Sequence, residues 1–325
     1  MIAIDLVVPM VFPADPQWRQ EYDRYHSGDA TRNVRYRSWG TEELLVKCCM
    51  KYMPWLRRIH ILLARESQVQ SWMNKYIQTS APGFRTLINN IKSSIRGTQL
   101  PTVCIHFHKD FIPTEHLPCF ASPCIEMFLR RIPDLSEHFI YANDDMFPLS
   151  PLSPDDFFLP SPTDPQLYLP CQHFTEEPYS AKPDVFHRKC MNQLNMIAVP
   201  FGRKYEDTWL RNGHSFAPIL KSTCEKVWQR HGAEILHHLS PKSRNDRSYN
   251  HYIYSLYQHF AGLSVEHTPR LQYIGSKVNC ERLANAIRDP QAGIVCMNDN
   301  ETIDDWEKKA AVVRREIMLK LNAKV

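Results

Sequence analysis

The run IAIDLVVPMVF, residues 2–12, is apolar at consecutive positions rather than alternate ones. A strand of this kind must be covered on both faces, the situation of a parallel strand inside an α/β sheet. Prolines at 13 and 16 end it. Similar segments return as RRIHILLA from Arg57, TVCIHFH from Thr102 and HFIYA from His138. Helical patterns lie between them. TEELLVKCCMKYMPWL opens on Thr41 as an N-cap and sets Leu44, Leu45, Cys48, Cys49 and Tyr52 at helical spacing. A second helix is expected around Val69 to Ile77, and ASPCIEMFLRRIP sets Ile125, Phe128 and Leu129 on one face before Pro133. This alternation predicts an α/β fold: a Rossmann-like, doubly wound, mostly parallel sheet with helices on both faces. Ligands bind such sheets beyond the carboxyl ends of the strands.

From Pro148 to Lys189 prolines crowd the chain and periodicity fades, which predicts a long inserted loop or lid. FAPILKSTCEKVWQRHGAEIL is expected to resume a helix, and RSYNHYIYSLYQHFAG forms another that Gly262 stops. The last 25 residues read as a charged amphipathic helix with Trp306, Ala310, Val313, Ile317 and Leu321 on one face. The expectation is one catalytic domain over 1–325: an α/β half at 1–158, an acceptor-side insertion at 159–211, and a second half at 212–325.

With 325 residues the chain can bury a substantial core. Its formal charge of +4 comes from dispersed lysines and arginines, so nucleic acid is not an expected partner, whereas anionic substrates and a membrane face are compatible. The ten cysteines show no Cys-x-x-Cys pair and read as reduced thiols. Asp5 and Pro9 interrupt the N-terminal apolar run, which lacks a basic flank and argues against a signal peptide. No apolar stretch reaches the roughly 20 residues that span a bilayer, so a soluble or peripheral protein is expected.

The strand HFIYA runs into Asn143, Asp144 and Asp145. Carboxylates at a strand end can bridge Mg²⁺ or Mn²⁺ to a diphosphate, or they can be a solvated turn. Glu126 sits among apolar neighbours, where an acid needs a partner or ligand; on spacing alone Arg130 at i+4 would serve. His214 precedes a helix and has the right chemistry for proton transfer at neutral pH. Arg244 and Arg247 stand before another helix, where guanidinium groups suit phosphate as well as solvent. Asn298 and Asp299 form a second strand end, where Asp299 is either a helix cap or a metal ligand.

In order along the chain, IDLVVPMVFPADPQW, the long block from RYRSWGTEELLVKCC to SPLSPDDFF, HSFAPILKSTCEKVW with SRNDRSYNHYIYSLYQHFAG, and VCMNDN together resemble the four motif blocks of the Stealth family of sugar-1-phosphate transferases. That family includes capsule and exopolysaccharide phosphotransferases and the lysosomal-targeting N-acetylglucosamine-1-phosphotransferase. The resemblance implies a GT-A-like sheet and transfer of sugar-1-phosphate from a nucleotide-sugar, such as a UDP-hexose or UDP-GlcNAc, to an acceptor hydroxyl with release of UMP. It puts the catalytic roles on Glu126, Asp145, His214 and Arg244. Asp144 and Asp299 join Asp145 as metal candidates on carboxylate chemistry. Asp5, Asp15, Arg37, Asn143, Lys221, Arg247 and Asn298 are the expected substrate-binding residues, with Lys221 two helical turns beyond His214 if that segment is helical. Mg²⁺ or Mn²⁺ is the expected cofactor. The expected partners are the nucleotide-sugar donor and a saccharide or lipid-linked saccharide acceptor, in the cytoplasm with peripheral contact at the inner face of the plasma membrane.

One block departs from the family's pattern: Met10, Val11, Phe12 and Pro13 stand where a Trp-Val-Asp-Gly sequence is usual. Two other readings therefore stay open, a glycosyltransferase that releases UDP from the same site and a catalytically silent binding protein.

Overall fold

A computed structural model of the chain describes residues 2–29, 33–76, 100–299 and 303–323, together with the backbone of short strands at 78–79 and 85–87. The strands in chain order are β1 (Ile4–Pro9), β2 (Arg58–Leu63), β3 (Gln78–Thr79), β4 (Arg85–Leu87), β5 (Thr102–Phe107), β6 (His138–Tyr141), β7 (Met146–Pro148), β8 (Phe158–Pro160), β9 (Tyr168–Gln172), β10 (Phe174–Pro178), β11 (Thr208–Asn212), β12 (Ala217–Leu220), β13 (Val265–Glu266), β14 (Leu271–Gly275) and β15 (Ile294–Asn298). The helices are α1 (Pro16–Tyr22), α2 (Glu42–Tyr52), α3 (His108–Phe111), α4 (Ser122–Met127), α5 (Val185–Ala198), α6 (Lys221–His238), α7 (Tyr252–Phe260), α8 (Cys280–Arg288) and α9 (Trp306–Asn322).

The central sheet runs β12-β6-β1-β2-β5-β4-β3. Its middle strands β6, β1, β2 and β5 are parallel, as the continuous apolar runs predict. Successive β1 side chains enter opposite cores: Leu6 and Val8 join the one that receives α2, α8 and α9, and Val7 joins the one that receives α4, α5, α6 and α7. The sheet is therefore covered by helices on both faces, the doubly wound arrangement expected from sequence. Smaller sheets β14-β15-β7, β13-β9-β8 and the antiparallel pair β10-β11 accompany it.

Three expectations change. FAPIL is not helical: Ala217–Leu220 is strand β12, antiparallel to β6, and the helix begins only at Lys221. Pro218 lacks an N–H and sits on an edge strand, where that loss is tolerated. The buried Gln258 covers this edge, its amide donating to Pro218 O and accepting from the Leu220 N–H. The proline-rich stretch is not one loop; it holds β8, β9 and β10 and leads into the 14-residue α5, which caps on Asp184. Around Val69 the structure has a 3-10 helix at Ser71–Tyr76, and Ile77 lies outside the described residues.

Asp5 is fully buried near the start of β1, at the amino end of the parallel strands. Its carboxylate accepts from the Arg57 guanidinium (2.5 and 2.8 Å), the His60 ring (3.1 Å) and the Ser136 N–H (2.8 Å). His60 passes the network on to His106 at 2.9 Å. Burial alone would raise the Asp5 pKa, but the bonds from Arg57 and His60 hold it well below the usual carboxylate range. The sequence-based expectation of substrate binding by Asp5 is thus corrected: it is a structural ion pair on the far side of the sheet. Because its folded-state pKa is depressed, its contribution is complete above the unfolded value of about 3.9 and fades as pH falls below it. Asp5→Asn is expected to cost about 3 kcal/mol or more in urea unfolding at pH 7. It should also flatten the acid limb of the stability profile below about pH 4; an unchanged limb would show that Asp5 does not set it.

Candidate active site

The carboxyl ends of β1 and β6 open on one edge of the sheet, and β12, antiparallel to β6, begins at that same edge. Asn143, Asp144 and Asp145 follow β6 there, and His214 enters β12 there. The Asp145 carbonyl accepts the Met297 N–H at 2.8 Å, so β15 fixes the turn that carries both acids. Among the described residues Asp145 Oδ1 is buried without a hydrogen-bond partner. Its carboxylate, the His214 ring and the Cys296 thiol have ligand atoms within 4.8 Å of one another.

Both acids keep partial exposure at the cleft floor, yet burial is the largest influence on each. Burial, then the charges of Asp145 and Glu42, pushes the Asp144 pKa up to about 8. Asp145 rises to about 7 through burial, with Asp299 adding and Arg244 opposing. The donor chemistry fits a divalent ion: Asp145 offers carboxylate oxygens of the kind Mg²⁺ and Mn²⁺ favour, its Oδ1 has no partner among the described residues, and Asp144 adjoins it in sequence. Burial raises the Cys296 pKa well above its usual value, which keeps that sulfur a neutral thiol and a poor partner for either ion.

Glu126 lies on α4, almost wholly buried. Arg130 is not its partner and instead donates to Glu225 at 2.9 Å. Glu126 accepts from both the backbone N–H and the ring Nδ1 of His251 at 2.8 Å, and from the Tyr141 hydroxyl at 3.2 Å. Tyr141 also donates to Asn143 at 3.1 Å, which ties the node to the acid turn. Burial works against ionisation of Glu126, but the charge and bonds of His251 outweigh it and hold the pKa down to about 2. His214 Nδ1 lies 3.2 Å from the Tyr252 hydroxyl. Burial, with the neighbouring His251, lowers its pKa to about 4, so the ring is neutral at pH 7.

Arg244 reaches Ser122 Oγ at 2.8 Å, at the start of α4, and its charge acts on Asp144, Asp145, Glu126's partner Tyr141 and His214. Lys189 on α5 and Arg35 approach the same region. Burial, with Arg244 adding and Glu126 opposing, lowers the Lys189 pKa to about 8. Burial and Arg244 also lower that of Arg35. Glu126, Asp145, His214 and Arg244 thus lie in one region of the fold, with Asp144 and Asn143 beside them. His251, Tyr252, Lys189 and Arg35 carried no sequence signal that separates them from other polar residues.

The remaining expected residues are placed differently. Asp299 accepts from Arg37 Nε and Nη2 (both 2.5 Å) and from the Trp39 indole (2.8 Å), so it pairs with Arg37 as a wall of the cleft. It does not cap α9, whose N-cap is Asp305. Asn298 donates to the Tyr273 hydroxyl. Asp15 caps α1 through the Gln17 and Trp18 N–H groups and accepts from Ser67. Lys221 is about 13 Å along β12 from the strand's start, at the opposite edge beside Glu137, because the segment is extended rather than helical. Arg247 faces a separate cavity. Met10 is buried with its N–H on Leu62 O, and the Phe12 carbonyl accepts from Asp15 and Gln68, so the first loop is packed in place.

Residues 89–164 match the family model for Stealth protein CR2, conserved region 2. The chain is 26% identical over 336 residues to the capsular polysaccharide phosphotransferase WcwK of Streptococcus pneumoniae, covering 95% of this chain and 94% of that protein. It is also 26% identical over 352 residues to the exopolysaccharide phosphotransferase cps2G of Lactiplantibacillus plantarum (99% and 95%). Identity to the receptor polysaccharide phosphotransferase WefC of Streptococcus gordonii is 25% over 342 residues (94% and 92%).

Mn²⁺ titration followed by electron paramagnetic resonance separates the two acid positions. Asp145→Asn is expected to weaken Mn²⁺ binding about tenfold or more, whereas Asp299→Asn leaves it near wild type. Equal losses would make Asp299 a ligand.

Proposed function

The chain is a Stealth-family protein, and from that premise we propose that it transfers a sugar-1-phosphate from a nucleotide-sugar to an acceptor hydroxyl in polysaccharide synthesis. The observation that carries this reading is the meeting of Glu126, Asp145, His214 and Arg244, distant in sequence, at the carboxyl edge of one sheet. That edge is where an open α/β sheet binds its ligand.

In the tautomer whose Nδ1–H donates to the Tyr252 oxygen, His214 Nε2 is a free acceptor. It takes the proton of the acceptor hydroxyl as that oxygen bonds to the phosphorus bearing the sugar. The bond from this phosphorus to the bridging oxygen breaks, and UMP leaves from a UDP-hexose donor. A well-placed base contributes about 10²- to 10⁴-fold. Arg244 faces the charge that spreads over the phosphate oxygens, with Lys189 as a second cation at the same wall. Glu126 orients the loop that holds His251 and Tyr252, and so positions His214 indirectly. A divalent ion on Asp144 and Asp145 would supply counter-charge to the diphosphate.

The acceptor in this reading is a saccharide or lipid-linked saccharide. A nucleotide-sugar donor and a lipid-linked acceptor would put the reaction in the cytoplasm, at the inner face of the plasma membrane. No helix among the described residues is long and apolar enough to cross a membrane.

With UDP-hexose, acceptor and Mg²⁺ or Mn²⁺, the product is expected to be UMP. Accumulation of UDP instead would mean glycosyl transfer, and binding without turnover would mean a silent site. Asp145→Asn, His214→Ala, Arg244→Ala and Glu126→Gln should each slow UMP release at least about 10²-fold with circular dichroism unchanged. Excess EDTA should stop the reaction; full activity in EDTA would remove the ion from it.

A further inference from the structure

Beside the active cleft the chain holds a second cavity of about 660 Å³, within the size range of small-molecule sites. It lies between α5, α6 and the 245–249 segment. Asn192 and Met196 of α5 line one side, His231 and Glu234 of α6 the other, and Arg247 and Tyr249 close it. His231 is 9% exposed, and its Nε2 is buried without a partner among the described residues.

The lining identifies the chemistry that would fill it. Glu234, which lines the cavity, accepts from Tyr249 (3.1 Å) and lies 3.1 Å from the His238 ring, both at Oε1, which leaves Oε2 outside these two contacts. Arg247 adds donors, and Asn192 adds a donor and an acceptor. Charges of both signs face a single space, which suits neither a phosphate alone nor an apolar ligand. Met196, Val199 and Pro200 supply an aliphatic patch on the same wall. Mixed donors and acceptors beside such a patch match the hydroxyl edge and the C–H face of a sugar ring.

Position joins this cavity to the cleft. On α5 Lys189 reaches the cleft, while Asn192 and Met196 face the cavity, and Val199 follows the helix about 15 Å from Lys189. One loop does the same: Arg244 and His251 belong to the cleft, Arg247 and Tyr249 to the cavity. We propose that the cavity is a saccharide-binding subsite that holds sugar units of the acceptor glycan beyond the one that reacts. The identification of the ligand as acceptor rests on the phosphotransferase reading above; the binding of saccharide does not.

The test is retention of the purified protein on a printed array of defined oligosaccharides, which needs no turnover. The wild type is expected to be retained by at least one saccharide, and Asp145→Asn, altered in the cleft, by the same one. Asn192→Trp, at an exposed helix position, fills the cavity, and Arg247→Ala removes an exposed cation; each should weaken retention at least tenfold. No retention of the wild type overturns the proposal. So does retention that survives Asn192→Trp and Arg247→Ala, or that Asp145→Asn abolishes, since the saccharide then sits in the cleft. Release of UMP by a chain that fails this test leaves the reaction intact and removes only the subsite. Cavity-dependent retention by a chain that releases UDP does the reverse.

Discussion

Glu126 and the two bonds it accepts from His251 join residues 125 positions apart and hold the second half of the chain against the first. Burying a carboxylate costs several kcal/mol unless its oxygens are matched, and here three donors match them. The arrangement constrains both ends. Through Tyr141 it fixes Asn143 and the acid turn, and through the His251 backbone it fixes the loop that ends in α7. Arg244, Arg247 and Tyr249 all lie just before His251 on that loop, so one buried carboxylate anchors residues of both the cleft and the neighbouring cavity, whose other walls are α5 and α6.

Charge at the cleft is balanced by placement rather than by pairing. Asp145 raises the cost of ionising Asp144, while Arg244, Arg35 and Lys189 repel one another across the same space. The Arg37–Asp299 pair, itself largely buried, adds a negative neighbour to Asp145. A site with unneutralised acids on its floor and unneutralised cations on its wall is complementary to a ligand carrying its own anion and counter-ion. In a partly dry cleft such interactions are stronger than in water.

The parallel sheet was legible because strands covered on both faces are mostly apolar at consecutive positions, as β1, β2, β5 and β6 are, Asp5 and the histidines at 60, 106 and 138 being among the exceptions. The acids, His214 and Arg244 were legible through the motif blocks of a family, not through spacing. Spacing misled where an edge strand imitated a helix: APIL has no alternation, and only its pairing with β6 shows that Lys221 leaves the site. Asp5 misled for a different reason. A buried acid reads the same in sequence whether its partner is a ligand or an arginine, and here Arg57 is the partner; Asp299 likewise meets Arg37. His251 and Lys189 were illegible because their roles depend on contacts across the fold, with Glu126 and Arg244, that no local pattern encodes.

The departure at Met10, Phe12 and Pro13 can be weighed in the same terms. These residues are packed: Met10 is in the core, Phe12 lies against it, and the loop's carbonyl at 12 is bonded to Asp15 and Gln68. None of the recorded bonds of Glu126, His214 or Arg244 involves them. Replacing a flexible glycine by such a segment removes one conformational option and lowers the entropy a ligand would have to freeze. In the proposed reaction the change would act on the shape offered to the donor, while Glu126, His214 and Arg244 keep the contacts described above.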